Sequence, residues 1–283
     1  MNFREKYGQW GIVLGATEGI GKASAFELAK RGMDVILVGR RKEALEELAK
    51  AIHEETGKEI RVLPQDLSEY DAAERLIEAT KDLDMGVIEY VACLHAMGQY
   101  NKVDYAKYEQ MYRVNIRTFS KLLHHYIGEF KERDRGAFIT IGSLSGWTSL
   151  PFCAEYAAEK AYMMTVTEGV AYECANTNVD VMLLSAGSTI TPTWLKNKPS
   201  DPKAVAAAMY PEDVIKDGFE QLGKKFTYLA GELNREKMKE NNAMDRNDLI
   251  AKLGKMFDHM AGGGGSGGGG SGGGGSGVKE SLV

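Results

Sequence analysis

A chain of 283 residues with a formal net charge of −5 has no basic stripe with which to hold a phosphate backbone, which excludes nucleic acid as the expected partner. No apolar run approaches the ~20 residues of a membrane span, and the opening segment MNFREKYGQW mixes charges without an apolar leader core. Cys93, Cys153 and Cys174 form an odd count without CxxC spacing, the pattern of free thiols in a reduced cytoplasmic protein.

Apolar runs alternate with helical patterns along the chain. Trp10–Leu14 predicts a buried strand, followed by a glycine turn and a helix over 21–31; Asp34–Val38 predicts a second strand and Lys42–Thr56 a charged helix. A third strand over 60–63, a helix over 71–80 and a fourth strand over 87–94 follow. A long helix is expected over 105–130, a fifth strand over 137–141, a helix over 154–175, a sixth strand over 179–184 and a seventh over 226–230. Strands that are apolar without alternation, each followed by a helix, imply a single doubly wound, Rossmann-type α/β fold: one parallel sheet with helices on both faces. Residues 190–210, with Pro192, Pro199 and Pro202, read as an insertion, and 246–260 as an extra terminal helix; either is placed to close over a substrate.

Residues 262–276 read GGGGSGGGGSGGGGS, three copies of a flexible unit holding twelve of the 33 glycines. Such a stretch is an engineered spacer, so the folding unit is expected over 1–261, the linker over 262–276 and a short peptide over 277–283.

The first turn, Gly15-Ala-Thr17-Glu-Gly19-Ile20-Gly21, leaves a strand and opens a helix, the context of a dinucleotide-binding turn. Glycines there allow close approach of backbone to pyrophosphate at the helix N-terminus, although such a turn also serves purely structural ends. At the end of the second strand, Gly39 stands where an acid would bind the ribose 2′-hydroxyl of NAD, and Arg40 and Arg41 follow. Two guanidinium groups suit a 2′-phosphate, so the pattern predicts NADP(H). Asp66 and Leu67 follow the third strand, where the carboxylate either meets the adenine or caps a turn.

Tyr156 and Lys160 lie four apart on one helix face, where an ammonium is able to lower a phenol pKa and hold it for proton transfer to a carbonyl. Ser143 ends the fifth strand 13 residues earlier, and Asn115 lies in the preceding helix with a polar side chain suited to holding a water. Gly15, Gly19, Gly21, Asn115, Ser143, Tyr156 and Lys160, in this order and spacing, resemble the short-chain dehydrogenase/reductase family over residues 8–235. The resemblance implies that Tyr156 is the general acid/base, that Lys160 binds the nicotinamide ribose, that Ser143 positions the substrate oxygen and that Asn115 supports a water-linked relay. It also aligns Gly187, Thr189 and Thr191 with the segment that contacts the nicotinamide, and implies a homodimer or homotetramer. The chain departs from the family's usual pattern at Ala92-Cys93-Leu94-His95 and at Ala186.

REKYGQWGIVLGATEGIGKA, LDMGVIEYVACLHAMG, HHYIGEFKERDRGAFI and NVDVMLLSAGSTITP are similar to the 7β-hydroxysteroid dehydrogenases of gut anaerobes within that family. This implies interconversion of 7-keto and 7β-hydroxy bile acids, with other ketones, including 3-oxoacyl substrates, as alternatives. A cofactor-sensing regulator on the same fold would be expected to lose Tyr156 or Lys160. Trp147, Leu150, Phe152, Trp194, Leu195 and Met209 are either walls of an apolar site for a flat polycycle or ordinary packing. His124-His125 lacks a second ligand pair, so no metal is expected; His95 is either a contact for nicotinamide or substrate or a structural histidine, and Cys93 reads as inert packing. The terminal GVKESLV resembles a class I PDZ ligand, which implies a PDZ domain as partner.

Overall fold

The computed structural model describes residues 2–196, 205–258 and 281–282. Seven strands, β1 (Trp10–Leu14), β2 (Asp34–Gly39), β3 (Ile60–Pro64), β4 (Met85–Tyr90), β6 (Gly136–Ser143), β7 (Val179–Ala186) and β8 (Thr227–Leu229), form one sheet in the order β3-β2-β1-β4-β6-β7-β8. All the pairings are parallel. β1 and β4 are buried at every residue, because both faces of the sheet are covered. Alternate strand residues feed two cores. Val13, Val35, Leu37 and Val87 face α2 (Gly19–Lys30), α3 (Lys42–Thr56) and α9 (Pro211–Gln221). Ile12, Leu14, Ile36, Ile88 and Tyr90 face α4 (Ala72–Thr80), α6 (Phe119–Glu132) and α7 (Ala154–Glu173).

The topology decides where a ligand fits. The chain runs outward from β1 to β3, then returns to β4 on the other side of β1, so the strand order reverses between them. A crevice beyond the carboxyl ends of two such strands is the binding place of doubly wound sheets.

Several segments differ from expectation. β4 ends at Tyr90 because the Val91 and Ala92 amides both donate to Leu14 O (3.0 and 2.7 Å), drawing the chain across the top of β1. Leu94–His95 then forms a separate two-residue strand, β5, paired antiparallel with Ser281–Leu282 (β9). The long helix over 105–130 is in fact α5 (Tyr105–Met111), a π-helical stretch (Tyr112–Thr118) and α6. Among the described residues, the α-helices α1 (Phe3–Tyr7), α9 and α10 (Glu232–Asn242) lacked a sequence expectation. The Asn2 side chain caps α1 by accepting from Arg4 N, and Phe3 and Tyr7, four apart, are buried in the core. Each such buried aromatic contributes about 1.5–3 kcal/mol. Within the 190–210 insertion the described part includes α8 (Pro192–Lys196), and 197–204 lie outside the described residues. α11 (Arg246–Asp258) buries Leu249 and Leu253 and brings Gly254 against Pro151. The spacer 262–276 and the terminal peptide, apart from Ser281–Leu282, lie outside the described residues.

One core residue is an acid. Glu89 of β4 is fully buried; its Oε1 accepts from Ser24 Oγ at 2.6 Å and its Oε2 has no partner among the described residues. Burial pushes its carboxyl up to about 8, against a smaller opposing pull from the Ser24 hydrogen bond. A folded state that holds this proton more tightly than the unfolded chain loses stability as pH rises from the ordinary carboxyl range to about 8. Glu89→Gln is expected to remove that slope. Thermal melts should show a Tm gap in favour of the variant that widens from pH 5 to pH 8; parallel Tm curves would contradict a neutral Glu89.

Candidate active site

The cofactor side is built by the first turn. Gly15 and Gly19 have φ of +96° and +58°, a region costly for other residues. A β-carbon on Gly15 would stand 2.8 Å from Ala92 N, and one on Gly21 would stand 2.0 Å from Gly15 O. The turn is therefore bare backbone, and no side chain caps the N-terminus of α2, which leaves its first amides, including those of Ile20 and Gly21, for an anion. Thr17 packs its methyl 3.1 Å from the position of a β-carbon on Gly39, so glycine at 39 keeps the end of β2 open beside the turn. Arg40 and Arg41 are exposed there, and Arg41 reaches back to Glu18 (3.2 Å). An exposed pair of this kind is worth about 0.2–1 kcal/mol and yields readily to a stronger anion. These groups fit a dinucleotide carrying a phosphate on its ribose.

Asp66 is committed to a local turn: its Oδ1 accepts from Ser68 N and Ser68 Oγ, each at 2.8 Å. Of the two roles its position suggested, this is the one the structure shows, and Oδ2 remains for an adenine contact. Leu67 is buried, and its carbonyl accepts from Thr118 Oγ1 at 2.9 Å. At the far end, Gly187 lies against Asn234 of α10, and Thr189 Oγ1 donates to Gly187 O (3.1 Å). Thr191 is buried and places its methyl 2.9 Å from where a β-carbon on Gly19 would be, so the segment after β7 folds over the glycine turn.

Ser143, Tyr156 and Lys160 come together at the mouth of the crevice. Ser143 Oγ, at the end of β6, accepts from Ser145 Oγ (2.8 Å) and Ser145 N (3.2 Å), which leaves its own proton for Tyr156 or, when one is bound, a substrate oxygen. Tyr156 is hydrogen-bonded with Ser143 and Ser145. Lys160, buried, donates to Ile141 O at 2.8 Å, and its Nζ stands 6.0 Å from the centre of the Tyr156 ring. The lysine was expected to lower the phenol. In the structure burial dominates and raises it, while the Ser143 and Ser145 hydroxyls pull the other way. Tyr156 is thus a neutral phenol, the form that donates a proton.

Asn115 lies in the π-helical stretch and is fully buried. Its Oδ1 accepts from Leu94 N (2.9 Å), and its Nδ2 donates to Leu94 O (2.7 Å) and Glu159 Oε2 (2.5 Å). Both amide donors are spent on protein groups, where the sequence had suggested a side chain open to water. This bracket fixes β5, whose His95 lies with its ring centre 5.6 Å from that of Tyr156. Burial, then the Lys160 charge, holds the His95 imidazole below its usual range, so it is neutral at pH 7.

Sequence reasoning missed Ser145 and Glu159. The signal for each was present: a hydroxyl two residues beyond Ser143, and a carboxyl on a face that also carries Tyr156. Cys93 is buried near Lys160, and burial pushes its thiol up, in keeping with packing. A cleft of about 430 Å³ lies between the Gly146–Pro151 segment, α7 and α11, with Trp147, Leu150, Ala154, Ala158 and Arg246 among its walls. Tyr156 is not one of those walls. Met209 instead packs against the core beside Gly231, and Leu195 is exposed. Phe152 takes a left-handed backbone (φ 64°), and its carbonyl accepts from Gly98 N at 2.8 Å.

A doubly wound sheet with a bare glycine turn at its switch point and a Ser–Tyr–Lys group at the crevice mouth defines a nucleotide-dependent dehydrogenase. Residues 9–202 match the short chain dehydrogenase family, and the chain belongs to it. It is 44% identical over 261 residues to a 7β-hydroxysteroid dehydrogenase of Collinsella aerofaciens, covering 91% of this chain and 99% of that protein. It is 42% identical over 263 residues to the one from Mediterraneibacter gnavus, with 91% and 99% covered. A solved structure bearing on 7β-hydroxysteroid dehydrogenase stereoselectivity superposes with a TM-score of 0.86 at 43% identity, covering 90% of this chain and all of the other.

Ser145→Ala removes the hydroxyl that orients Ser143. One hydrogen bond is worth about 0.5–1.5 kcal/mol, so kcat should fall about two- to twelvefold while the NADPH dissociation constant stays put. Steady-state kinetics beside a fluorescence titration checks this, and an unaltered kcat would remove Ser145 from the site.

Proposed function

We propose that the chain is an NADP(H)-dependent oxidoreductase that interconverts 7-keto and 7β-hydroxy bile acids. The observation that carries this reading is the joint one: Ser143, Tyr156 and Lys160 gathered at the switch-point crevice in a chain similar along nearly its whole length to 7β-hydroxysteroid dehydrogenases. NADPH, when bound, supplies the hydride. The amides of the first turn and of the α2 N-terminus hold its pyrophosphate, Arg40 and Arg41 its 2′-phosphate, and Lys160 the ribose nearest the chemistry. Gly187, Thr189 and Thr191 bound the nicotinamide end.

The residues then divide the proton work. Ser143, its lone pairs engaged by Ser145, gives its hydrogen bond to the substrate carbonyl oxygen. Tyr156, kept neutral by burial, protonates that oxygen as it becomes an alcohol. In the reverse direction Tyr156 must first ionise, and the Lys160 ammonium then offsets its charge.

With 7-ketolithocholate and NADPH, oxidation of the cofactor followed at 340 nm should be rapid and give the 7β-alcohol, and Tyr156→Phe should abolish turnover while NADPH still binds. Arg41→Ala should raise the KM for NADPH about tenfold or more, a charge-assisted bond being worth about 1.5–3 kcal/mol, and should leave NADH kinetics nearly as they were. A wild-type preference for NADH would overturn the cofactor assignment, and no turnover of any bile acid would overturn the substrate.

The tail has a separate role as a tether. Val283 suits the apolar pocket of a class I PDZ domain and Ser281 its polar contact; backbone pairing supplies the rest. Such capture replaces the pairing of Ser281–Leu282 with Leu94–His95, and a Gly/Ser sequence of fifteen residues, with a coil span of roughly 20–23 Å root-mean-square, is long enough to separate the complex from the enzyme surface. Deletion of Val283 should abolish capture by a class I PDZ domain in a pull-down and leave NADPH-linked turnover as before; undiminished capture would refute the tether.

A further inference from the structure

Glu159 lies on α7 directly before Lys160 and three residues after Tyr156, and it is 1% exposed. Its Oε2 accepts from Asn115 Nδ2 at 2.5 Å, and its Oε1 is buried with no hydrogen-bond partner among the described residues. A carboxyl placed this way costs stability, since burial without full pairing is unfavourable. Its place is the reacting layer. Asn115 passes the contact on to both polar groups of the Leu94 peptide, and Leu94 precedes His95, which lies against Tyr156.

We propose that Glu159 is a positioning residue of the reaction: through Asn115 it holds the Leu94–His95 edge beside Tyr156, and by ionising it keeps the Tyr156 proton in place and favours reduction over oxidation. This rests on Tyr156 as the proton donor.

The groups around it fix the sign. From α7 it meets Glu155, which opposes its ionisation, and Lys160, which favours it. From the exit of β4 comes Cys93, and from the segment before α7 Cys153, each electrostatically coupled to it. His95 of β5 is neutral, the π-helical stretch contributes Asn115, whose hydrogen bond is the strongest of the effects favouring ionisation, and Tyr112 there is bonded with Glu155. Burial outweighs the rest and pushes the Glu159 carboxyl up to about 8. Below that pH the acid is neutral. Above it, a negative charge one helical turn from Tyr156 opposes formation of phenolate, so the phenol survives to higher pH for reduction while alcohol oxidation is held back.

The test uses the full chain and follows kcat in both directions, with 7-ketolithocholate and its 7β-alcohol, from pH 6 to 10. Glu159→Gln keeps an acceptor for Asn115 without a charge; its oxidation profile should move to lower pH and exceed the wild type about three- to tenfold above pH 8. Glu159→Leu has no acceptor. It should lower kcat in both directions at every pH, by about tenfold for a lost buried hydrogen bond, with NADPH affinity within about twofold, and Glu159→Gln should recover most of that loss below pH 8. Superimposable oxidation profiles for wild type and Glu159→Gln would overturn the proposal, and this holds even if Glu159→Leu fails to fold. Turnover surviving in Tyr156→Phe would instead defeat the assignment of the proton donor.

Discussion

The site depends on one close approach, that of Gly15 to the backbone of Ala92. There is no room for a β-carbon between them, and the amides of Val91 and Ala92 share Leu14 O as acceptor. This contact ties the exit of β1 to the exit of β4, the two strands between which the order of the sheet reverses. It stops β4 at Tyr90 and redirects the chain over the crevice, so that Leu94 and His95 come to lie beside Tyr156. The glycine turn on one side and the proton-transfer group on the other are held together by backbone geometry before any side chain is considered.

The second support is the bracket made by Asn115. An amide side chain that accepts from Leu94 N and donates to Leu94 O copies the pairing a neighbouring strand would give, and so satisfies a peptide that no strand of the main sheet reaches. An α-helix running straight from Tyr105 would carry its residues past this point at 100° per residue. The π-helical stretch from Tyr112 to Thr118 widens the helix there, a distortion found disproportionately at functional sites, and Asn115 is its central residue. Glu159 completes the bracket from the α7 side at the cost of a buried carboxyl.

Much of this was legible in the sequence, for identifiable reasons. Buried parallel strands are apolar on both faces, so Trp10–Leu14 and Asp34–Val38 stand out as runs, and the charged helix 42–56 ends at Gly57, which takes the left-handed conformation that glycine favours. The positions of Gly15, Ser143, Tyr156 and Lys160 follow from strand and helix ends that those runs locate. α1 was invisible because two aromatic residues four apart in a five-residue helix make too short a period to detect. α10 buries only Asn234 and Met238 and has no apolar stripe to read. The π-helical stretch carries no sequence mark of its own, and with it went the orientation of Asn115. Where Arg40 and Arg41 emerge was legible because the strand before them fixes it.

The direction of the Tyr156 shift shows where pattern reasoning ends. The i, i+4 spacing put phenol and ammonium on one face, yet it carries no information on which of two opposing effects wins. An ammonium favours phenolate in proportion to its nearness, whereas burial disfavours phenolate whatever the partner. Lys160 directs its charge at Ile141 O, while Tyr156, half-buried, packs against His95 and bonds with the Ser143 and Ser145 hydroxyls, and the loss of water around its hydroxyl prevails. A tyrosine that holds its proton is prepared for protonating a substrate oxygen; to take one away it must first pay to place a charge there. On the reading of Tyr156 as the proton donor, the site is electrostatically uneven between its two directions before the ratio of reduced to oxidised cofactor has any say, and the buried acid at 159 leans the same way once it ionises above about pH 8.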